Sequence, residues 1–258
     1  MHAMMIAARE GLAGLTIGRL ARDLAMSKSG LFAHFRSKRA LEIATINEAR
    51  QVFVRQVLSP AAANKGIFQL WLLCDSWLAH VERKVFAGGY FFTGAFFECA
   101  ERSGPVEDEM NRMALEWWAT LRTAVEEAQE RKEISSSVDS RRISFDLNGI
   151  LMSAYWTYLV EKEVGVFREA RMAILAKLEG LATPRIPASA FKSENTWKEY
   201  LKAEPGNKKM PRSIFGGLAA TKPVPSPIPP SIPSSSAPPL KKSQSIFRSL
   251  ARLTKPRQ

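Results

Sequence analysis

The sequence predicts an all-α protein, and three observations support that prediction. Apolar residues recur at the helical period of 3.6 residues almost everywhere up to about residue 203, and no stretch shows the sustained alternation of a half-buried strand. Turn signals interrupt this pattern at 11–14, 60–66, 88–89, 103–105, 135–137 and 165, which predicts about nine helices. A hydrophobic content of 46% over 258 residues can supply a sizeable core.

Charge is distributed unevenly along the chain. Residues 1–50 carry eight Lys or Arg and four Asp or Glu, residues 51–204 are nearly balanced, and residues 205–258 carry ten basic and no acidic residues. Eleven of the 15 prolines also lie in 205–258, so this segment cannot bury enough apolar surface to offset its ordering entropy. A basic beginning and a basic end indicate an anionic partner.

These shifts in composition divide the chain into a head at 1–47, a helical body at 48–192 and a Pro/Ser-rich basic tail at 193–258 that we expect to be mostly disordered. The tail contains a short repeat, KKMPRSIFGGLA at 208–219 and KKSQSIFRSLA at 241–251. The second copy is amphipathic and basic, which is typical of a peptide that folds on an anionic membrane or in a partner's groove. A solvated tail that only adds non-specific DNA affinity is the alternative.

Several classes of protein are disfavoured by the sequence. The longest uncharged stretch in the folded part, at 147–160, has 14 residues, fewer than the roughly 20 that span a bilayer. The first residues lack a secretory signal, so we expect a cytoplasmic protein. Cys74 and Cys99 lie in apolar surroundings without metal-ligand spacing, and no catalytic or phosphate-binding motif is present. The sequence therefore predicts neither an enzyme nor a bound cofactor or metal.

A helix-turn-helix is predicted between residues 16 and 35. The first helix follows Thr16, a good N-cap, and has one apolar stripe, formed by Ile17, Leu20, Ala21 and Leu24. Two residues separate it from Ser27, which can cap a second helix whose Leu31 and Phe35 face the first. In such a motif the second helix enters the DNA major groove by its N-terminal end. Small residues at that end allow a close approach to phosphates and bases.

The segment GLAGLTIGRLARDLAMSKSGLFAHFRSKRAL, residues 11–41, resembles the DNA-binding domain of TetR-type transcriptional regulators. The resemblance implies a three-helix head, a linking fourth helix, and an all-α body that binds a small-molecule effector and forms a homodimer. It implies repression at a palindromic operator on double-stranded DNA, released by that ligand. By position, it also implies DNA contacts from Thr16, Ser27, Lys28, Ser29, Gly30, Phe32, His34 and Lys38. Of these, Ser27 to Gly30 would face the groove, Thr16 and Lys38 the phosphates, and Phe32 and His34 the sugar-phosphate edge.

The segment departs from the family's pattern in three ways. Ala25 stands where the family usually has Gly in the turn, which costs roughly 1 to 2 kcal/mol if that residue is left-handed. Phe32 stands where the family usually has Tyr, so a hydroxyl contact to phosphate is lost. About ten residues precede Gly11, so the first helix is expected to be short and weakly packed, or the true start lies upstream.

The body carries many aromatic residues, and the segment at 80–109 also resembles the body of a subset of TetR-type regulators. Aromatic residues at helical spacing form ordinary core, but an apolar pocket between helices is also where small ligands bind. The candidate pocket residues are Trp71, Phe92, Phe96, Trp117 and Trp156. An apolar or aromatic ligand would suit such a pocket.

Two late helices, at about 106–132 and 139–163, have broad apolar faces. The resemblance implies that this pair forms a four-helix bundle with its copy in a homodimer. Dimerisation also suits a short recognition helix, because two-fold symmetry doubles its base contacts. The candidate interface residues are Leu121, Val125, Leu147, Leu151, Ala154 and Tyr158.

The sequence thus predicts a homodimeric, DNA-binding transcriptional repressor associated with the nucleoid. The alternative keeps the DNA-binding head but makes the protein a scaffold or tethered factor, whose basic tail docks a partner protein or an anionic membrane. Binding to a short palindrome near its own or a neighbouring gene would distinguish the two.

Overall fold

The computed structural model describes residues 1–84, 90–100 and 103–191, all within the first of two units, Met1–Ile214 and Phe215–Gln258. These residues form nine helices of at least seven residues and no strand: α1 His2–Gly14, α2 Ile17–Asp23, α3 Lys28–Phe35, α4 Lys38–Phe53, α5 Gly66–Glu82, α6 Phe91–Cys99, α7 Pro105–Glu130, α8 Ser140–Glu161 and α9 Gly165–Leu181. The predicted all-α class is confirmed. Helix α4 continues through a π-helical stretch, Val54–Leu58, and a further turn, Ser59–Ala61.

The turn signals in the sequence coincide with connections in the structure. Residues 62–65 separate the end of the α4 extension from α5, residues 103–104 precede α7, and residues 131–139 join α7 to α8. Gly11 interrupts α1 with a left-handed backbone, φ +74° and ψ 172°. The predicted break at 88–89 and the predicted tail at 193–258, with both copies of its repeat, lie outside the described residues.

The head has its own hydrophobic core, but helices of the body complete it. Met4, Leu12 and Leu31 are almost fully buried in this cluster. The same cluster contains Phe91, Ala95 and Cys99 of α6 together with Val106 and Met110 of α7. Packing against α6 therefore provides the burial that a short first helix could not achieve alone, and the expected weak packing of α1 is not observed.

The core of the body is built around α5. This helix is apolar on nearly all sides, which is typical of a helix surrounded by others, and it packs against α7, α8 and α9. Trp71 and Trp77 are fully buried in it. At one edge of α5, Arg171 of α9 donates hydrogen bonds to Asp75 at 2.7 Å and to Glu82 at 3.0 Å. These ion pairs join α9 to α5 at the boundary of the core.

The remaining sequence-based exclusions can be compared with the described residues. Both cysteines are buried, Cys74 in the body core and Cys99 in the head core, and burial raises the pKa of the Cys74 thiol. None of the helices in the described part of the chain is long and apolar enough to cross a membrane. Residues 1–84, 90–100 and 103–191 contain no group of three or more His, Cys, Asp or Glu that could hold a metal ion.

His80 is a buried histidine in the body core. Its Nδ1 lies 2.8 Å from Oε1 of Gln56 in the π-helical stretch, and its ring makes edge contacts with Phe53 and Tyr90. Burial, and to a smaller extent the positive charge of Arg83, lowers the pKa of His80 to about 4. The imidazole is therefore neutral in the folded protein at neutral pH.

The depressed pKa of His80 predicts a loss of stability in mild acid. Because the unfolded chain takes up this proton near pH 6.5 and the folded chain only near pH 4, the stabilisation is complete above pH 6.5 and is lost as the pH falls toward 4. Between pH 7 and pH 5 the contribution amounts to about 2 kcal/mol. Denaturant unfolding of wild type and His80→Gln between pH 7 and pH 5 should show that the variant's pH dependence is smaller by this amount. Equal pH dependence in wild type and His80→Gln would contradict the assignment.

Candidate nucleic-acid interface

Three hydroxyl side chains fix the starts of successive helices in the head. Thr16, Ser27 and Ser37 precede α2, α3 and α4, and each side-chain oxygen accepts a hydrogen bond from the backbone N–H three residues later, at 3.1 Å in all three cases. Such caps satisfy backbone donors that the helix itself leaves unpaired, and each contributes about 1 kcal/mol. The N-terminal ends of α2, α3 and α4 are therefore defined by local sequence, as predicted for Thr16 and Ser27.

The turn between α2 and α3 passes through a left-handed residue. Ala25 has φ +51°, and the N–H of Met26 donates to the carbonyl of Ala21 at 2.9 Å. The sequence left the conformation of this position open; the structure shows that it is left-handed, so the cost of alanine in place of the family's usual Gly applies. Alanine lowers the stability of the fold here by roughly 1 to 2 kcal/mol, because its Cβ approaches the following carbonyl oxygen in this conformation. The turn sets the direction in which α3 leaves α2.

Helix α3 presents almost its whole surface to solvent. Leu31 is its only buried residue, and Phe35 is half-buried against the head core. The chain is continuously exposed from Arg22 to Gly30, and all eight predicted DNA-contact residues are exposed. Phe32 stands out, because 53% of this large aromatic side chain is accessible. Lys28, Ser29, Phe32 and Ala33 line a shallow concave surface at the N-terminal part of α3.

Unpaired positive charge accompanies this surface. Lys28 forms no ion pair within the described residues, and neither do the exposed Arg36 and Arg39 on either side of the α4 cap. Arg19, in contrast, is neutralised by Glu10 and Asp23, with Nε donating to Asp23 at 2.9 Å. The hydrogen bond from Arg19 holds the pKa of the Asp23 carboxyl below its usual value, and a hydrogen bond with His2 lowers this pKa further. Sequence reasoning missed Arg36 and Arg39, although the basic run FRSKR could have indicated them.

Lys38 has a different environment from the one expected for a residue that contacts only DNA. Its ammonium donates to the carbonyl oxygen of Ala13 at 2.9 Å and lies 3.6 Å from a carboxylate oxygen of Glu42. Lys38 thus joins the start of α4 to the end of α1 in the free protein. The side chain is exposed, so a phosphate contact requires it to share or leave the Ala13 carbonyl.

The five residues predicted to line one ligand pocket lie in separate places. Trp71 belongs to the packed core, Phe96 packs against the head core, and Trp156 is 65% exposed on the surface of α8. Only Phe92 and Trp117 lie together, because both make edge-to-face contacts with Phe53. The five therefore do not line one site: aromatic spacing within a helix does not reveal which neighbouring helix each ring faces.

A polar cluster of aromatic residues adjoins Phe92, and sequence reasoning did not identify it. Trp77 Nε1 donates to the Tyr90 hydroxyl at 3.1 Å, and the backbone N–H of Tyr90 donates to the Tyr155 hydroxyl at 2.9 Å. The Tyr90 ring also contacts the rings of Phe92 and His80. Burial raises the pKa of the Tyr90 phenol, which is therefore a neutral hydroxyl. Its partners lie 13 and 65 residues away, so no local motif could have indicated them.

The predicted dimer-interface residues face inward, which corrects that prediction. Leu121, Val125, Leu147 and Leu151 are fully buried within one chain, as is Ala154, and Tyr158 packs against the Phe167 ring of α9. The same helices expose a different set of large apolar residues. On α7 these are Leu115 and Trp118, and on α8 they are Phe145, Trp156 and Val160. Helices α7 and α8 do carry broad apolar faces, but the residues assigned to the dimer interface lie on the faces that pack inside one chain.

The left-handed turn predicts opposite effects for two alanine-to-glycine changes. Ala25→Gly should raise the free energy of unfolding by about 0.5 to 1 kcal/mol, since glycine adopts φ +51° without strain but gains freedom in the unfolded chain. Ala33→Gly, at an exposed helical position of α3, should lower it by up to about 1 kcal/mol. Thermal or denaturant unfolding measures both. A destabilised Ala25→Gly variant would refute the assigned turn.

Comparisons with known proteins agree with this geometry. The family described as "Bacterial regulatory proteins, tetR family" matches residues 2–45, and "Tetracyclin repressor-like, C-terminal domain" matches residues 66–174. No curated protein matches the sequence significantly.

Solved structures share the fold at low sequence identity. Transcriptional regulators of the TetR family from Cytophaga hutchinsonii and Chloroflexus aurantiacus are 16% and 20% identical, with TM-scores of 0.63 and 0.64, and each match covers 70% of this chain and 91% of the other. The fatty acid degradation regulator FadR from Bacillus halodurans is 14% identical with a TM-score of 0.57, and the match covers 69% of this chain and 95% of FadR. Such proteins are DNA-binding regulators and not enzymes. With its head and most of its body matched, the chain belongs to the TetR family of transcriptional regulators.

Proposed function

We propose that this regulator is a homodimeric repressor that binds a palindromic operator and is released by a small apolar or aromatic ligand. The observation that carries the proposal is the exposed N-terminal end of α3, capped by Ser27, beside the ammonium of Lys28, which forms no ion pair with the residues that the structure describes. A helix end with small residues, free backbone donors and positive charge suits the major groove. In this role the protein acts on chromosomal DNA in the cytoplasm.

The exposed residues of the head have distinct roles in this proposal. Ser29 and Gly30 let the backbone of α3 approach the bases, and Lys28 pairs with a phosphate or a base edge. The hydroxyl of Thr16 and the ammonium of Lys38 contact phosphates on either side. Phe32 and His34 lie along the sugar-phosphate edge. To these predicted contacts we add Arg36 and Arg39, which extend the positive surface at the start of α4.

We place the dimer contact on the outward face of α8, with exposed apolar residues of α7 and α9 at its sides. Phe145, Trp156 and Val160 are 73%, 65% and 69% exposed and follow one side of α8. Leu115 and Trp118 of α7 and Met172 of α9 are also about half exposed or more. Large exposed apolar residues along one side of a helix favour an interaction site, and a second copy of the chain presents the same residues.

The effector site is proposed at the junction of α4, α5, α6 and α7, around Phe53, Phe92 and Trp117. The Tyr90 hydroxyl and the Gln56–His80 pair provide polar groups within this aromatic surrounding. Aromatic side chains with a few polar groups among them suit a small aromatic ligand. Phe92 also packs against the head core, so a ligand that displaces its ring acts on α6.

Lys28 provides the direct test of DNA binding. Selection from a pool of random duplexes should yield a palindromic sequence, and Lys28→Ala should weaken binding to it while leaving the circular dichroism spectrum unchanged. Because one phosphate charge is no longer neutralised in each protomer, the slope of log affinity against log salt should fall by about one per protomer. Arg141→Ala, at an exposed basic residue of α8, is the matched control and should bind normally. Unchanged affinity and slope in Lys28→Ala would refute the interface.

Trp156 provides the test of the dimer. Trp156→Asp should weaken self-association by about 2 kcal/mol or more, because it places a charge in an apolar contact where an aromatic anchor is expected. Analytical ultracentrifugation of the full chain measures the shift from dimer to monomer. Phe97→Asp, at a comparably exposed phenylalanine of α6, should leave the dimer intact. A wild type that stays monomeric at micromolar concentration, or a Trp156→Asp variant that stays dimeric, would exclude this interface.

A further inference from the structure

The carboxylate of Glu98 on α6 joins the body to the backbone of the first head helix. Its Oε2 accepts a hydrogen bond from the N–H of Leu12 at 2.5 Å, and its Oε1 accepts one from the N–H of Ala13 at 2.6 Å. The bonds connect residues 85 and 86 positions apart in the chain. Hydrogen bonds to an ionised acceptor are about twice as strong as neutral ones, so two of them form a firm connection.

The backbone of α1 is shaped to receive this carboxylate. Gly11 has φ +74°, which interrupts the helix immediately before the two donating N–H groups. A Cβ atom at Gly11 would lie 2.5 Å from Glu98 Oε2, so any other residue would collide with the carboxylate and be strained. The observed position of the Glu98 carboxylate therefore requires glycine at position 11.

The residues held by Glu98 lead directly into the DNA-binding helices. Ala13 is held on both sides of its Cα atom, because Glu98 accepts from its N–H and Lys38 donates to its carbonyl oxygen at 2.9 Å. Three residues later Thr16 caps α2. The segment from Leu12 to Thr16 is thus fixed between α6, which belongs to the body, and the start of α4.

We propose that Glu98 is a positioning residue through which α6 sets the orientation of α2 and α3 relative to the body. The consequence for DNA affinity rests on the proposed function, whereas the contact itself does not. Helix α6 packs against both cores, with Phe91, Ala95 and Cys99 in the head cluster and Phe92 against the aromatic rings of the body. A shift of α6 withdraws the carboxylate from the N–H groups of Leu12 and Ala13. The segment that leads into α2 is then no longer held against the body.

The test compares Glu98→Ala, Glu98→Gln and the control Glu179→Ala, which changes an exposed glutamate of α9. Hydrogen-deuterium exchange of the full chain should be at least about tenfold faster at residues 12–24 in Glu98→Ala, with α5 unchanged. Affinity for the selected duplex should fall by a similar factor. Glu98→Gln should give intermediate values, because its NH2 group donates and cannot replace the second carboxylate oxygen as an acceptor. Glu179→Ala should match wild type.

Three results would overturn the proposal. Unchanged exchange at residues 12–24 in Glu98→Ala would show that the contact does not hold α1. Exchange that rises equally in α5 would show that Glu98 stabilises the chain in general. Locally faster exchange with unchanged duplex affinity would show that the contact does not position α3. If wild type selects no duplex, the proposed function fails, and the exchange comparison alone decides whether α6 holds α1.

Discussion

The presentation of α3 depends on the burial of one side chain, Leu31. This leucine is 5% exposed and is the only residue of the eight in α3 that the head core encloses. A helix held along a wide apolar stripe would lose much of its surface to packing. Here one leucine, the half-buried Phe35 and the Ser27 cap hold the helix, and its remaining residues stay accessible. Truncating such a buried leucine typically costs 2 to 5 kcal/mol, which shows how much one anchor can contribute.

The orientation of that anchored helix depends in turn on the body. The head core is completed by residues of α6 and α7, and α6 also supplies the carboxylate that fixes Leu12 and Ala13. On its other side α6 meets the aromatic cluster around Phe53 and Tyr90. One nine-residue helix therefore contacts both the DNA-binding head and the proposed effector site. This arrangement provides a short physical route between the proposed effector site and the head.

The sequence predicted best those features that are determined locally. The caps at Thr16 and Ser27 and the exposed residues of α3 follow from residue type and short-range spacing, and all are observed. Features that depend on residues far apart in the chain could not be predicted from the sequence. Nothing near Lys38 indicates its bond to Ala13, and nothing near Gly11 indicates Glu98. Helix α8 has apolar residues on both its inner and outer faces, so periodicity could not tell Leu151 from Trp156.

The proposed function requires that the N-terminal end of α3 contacts DNA. The most direct measurement is a titration of the isotopically labelled full chain with its selected duplex, following backbone amide signals by NMR. We expect the largest changes from Ser27 to Phe32 and from Ser37 to Arg39, with only small changes in α5 and α9. The largest changes in the body helices, with the signals of α3 unmoved, would contradict it.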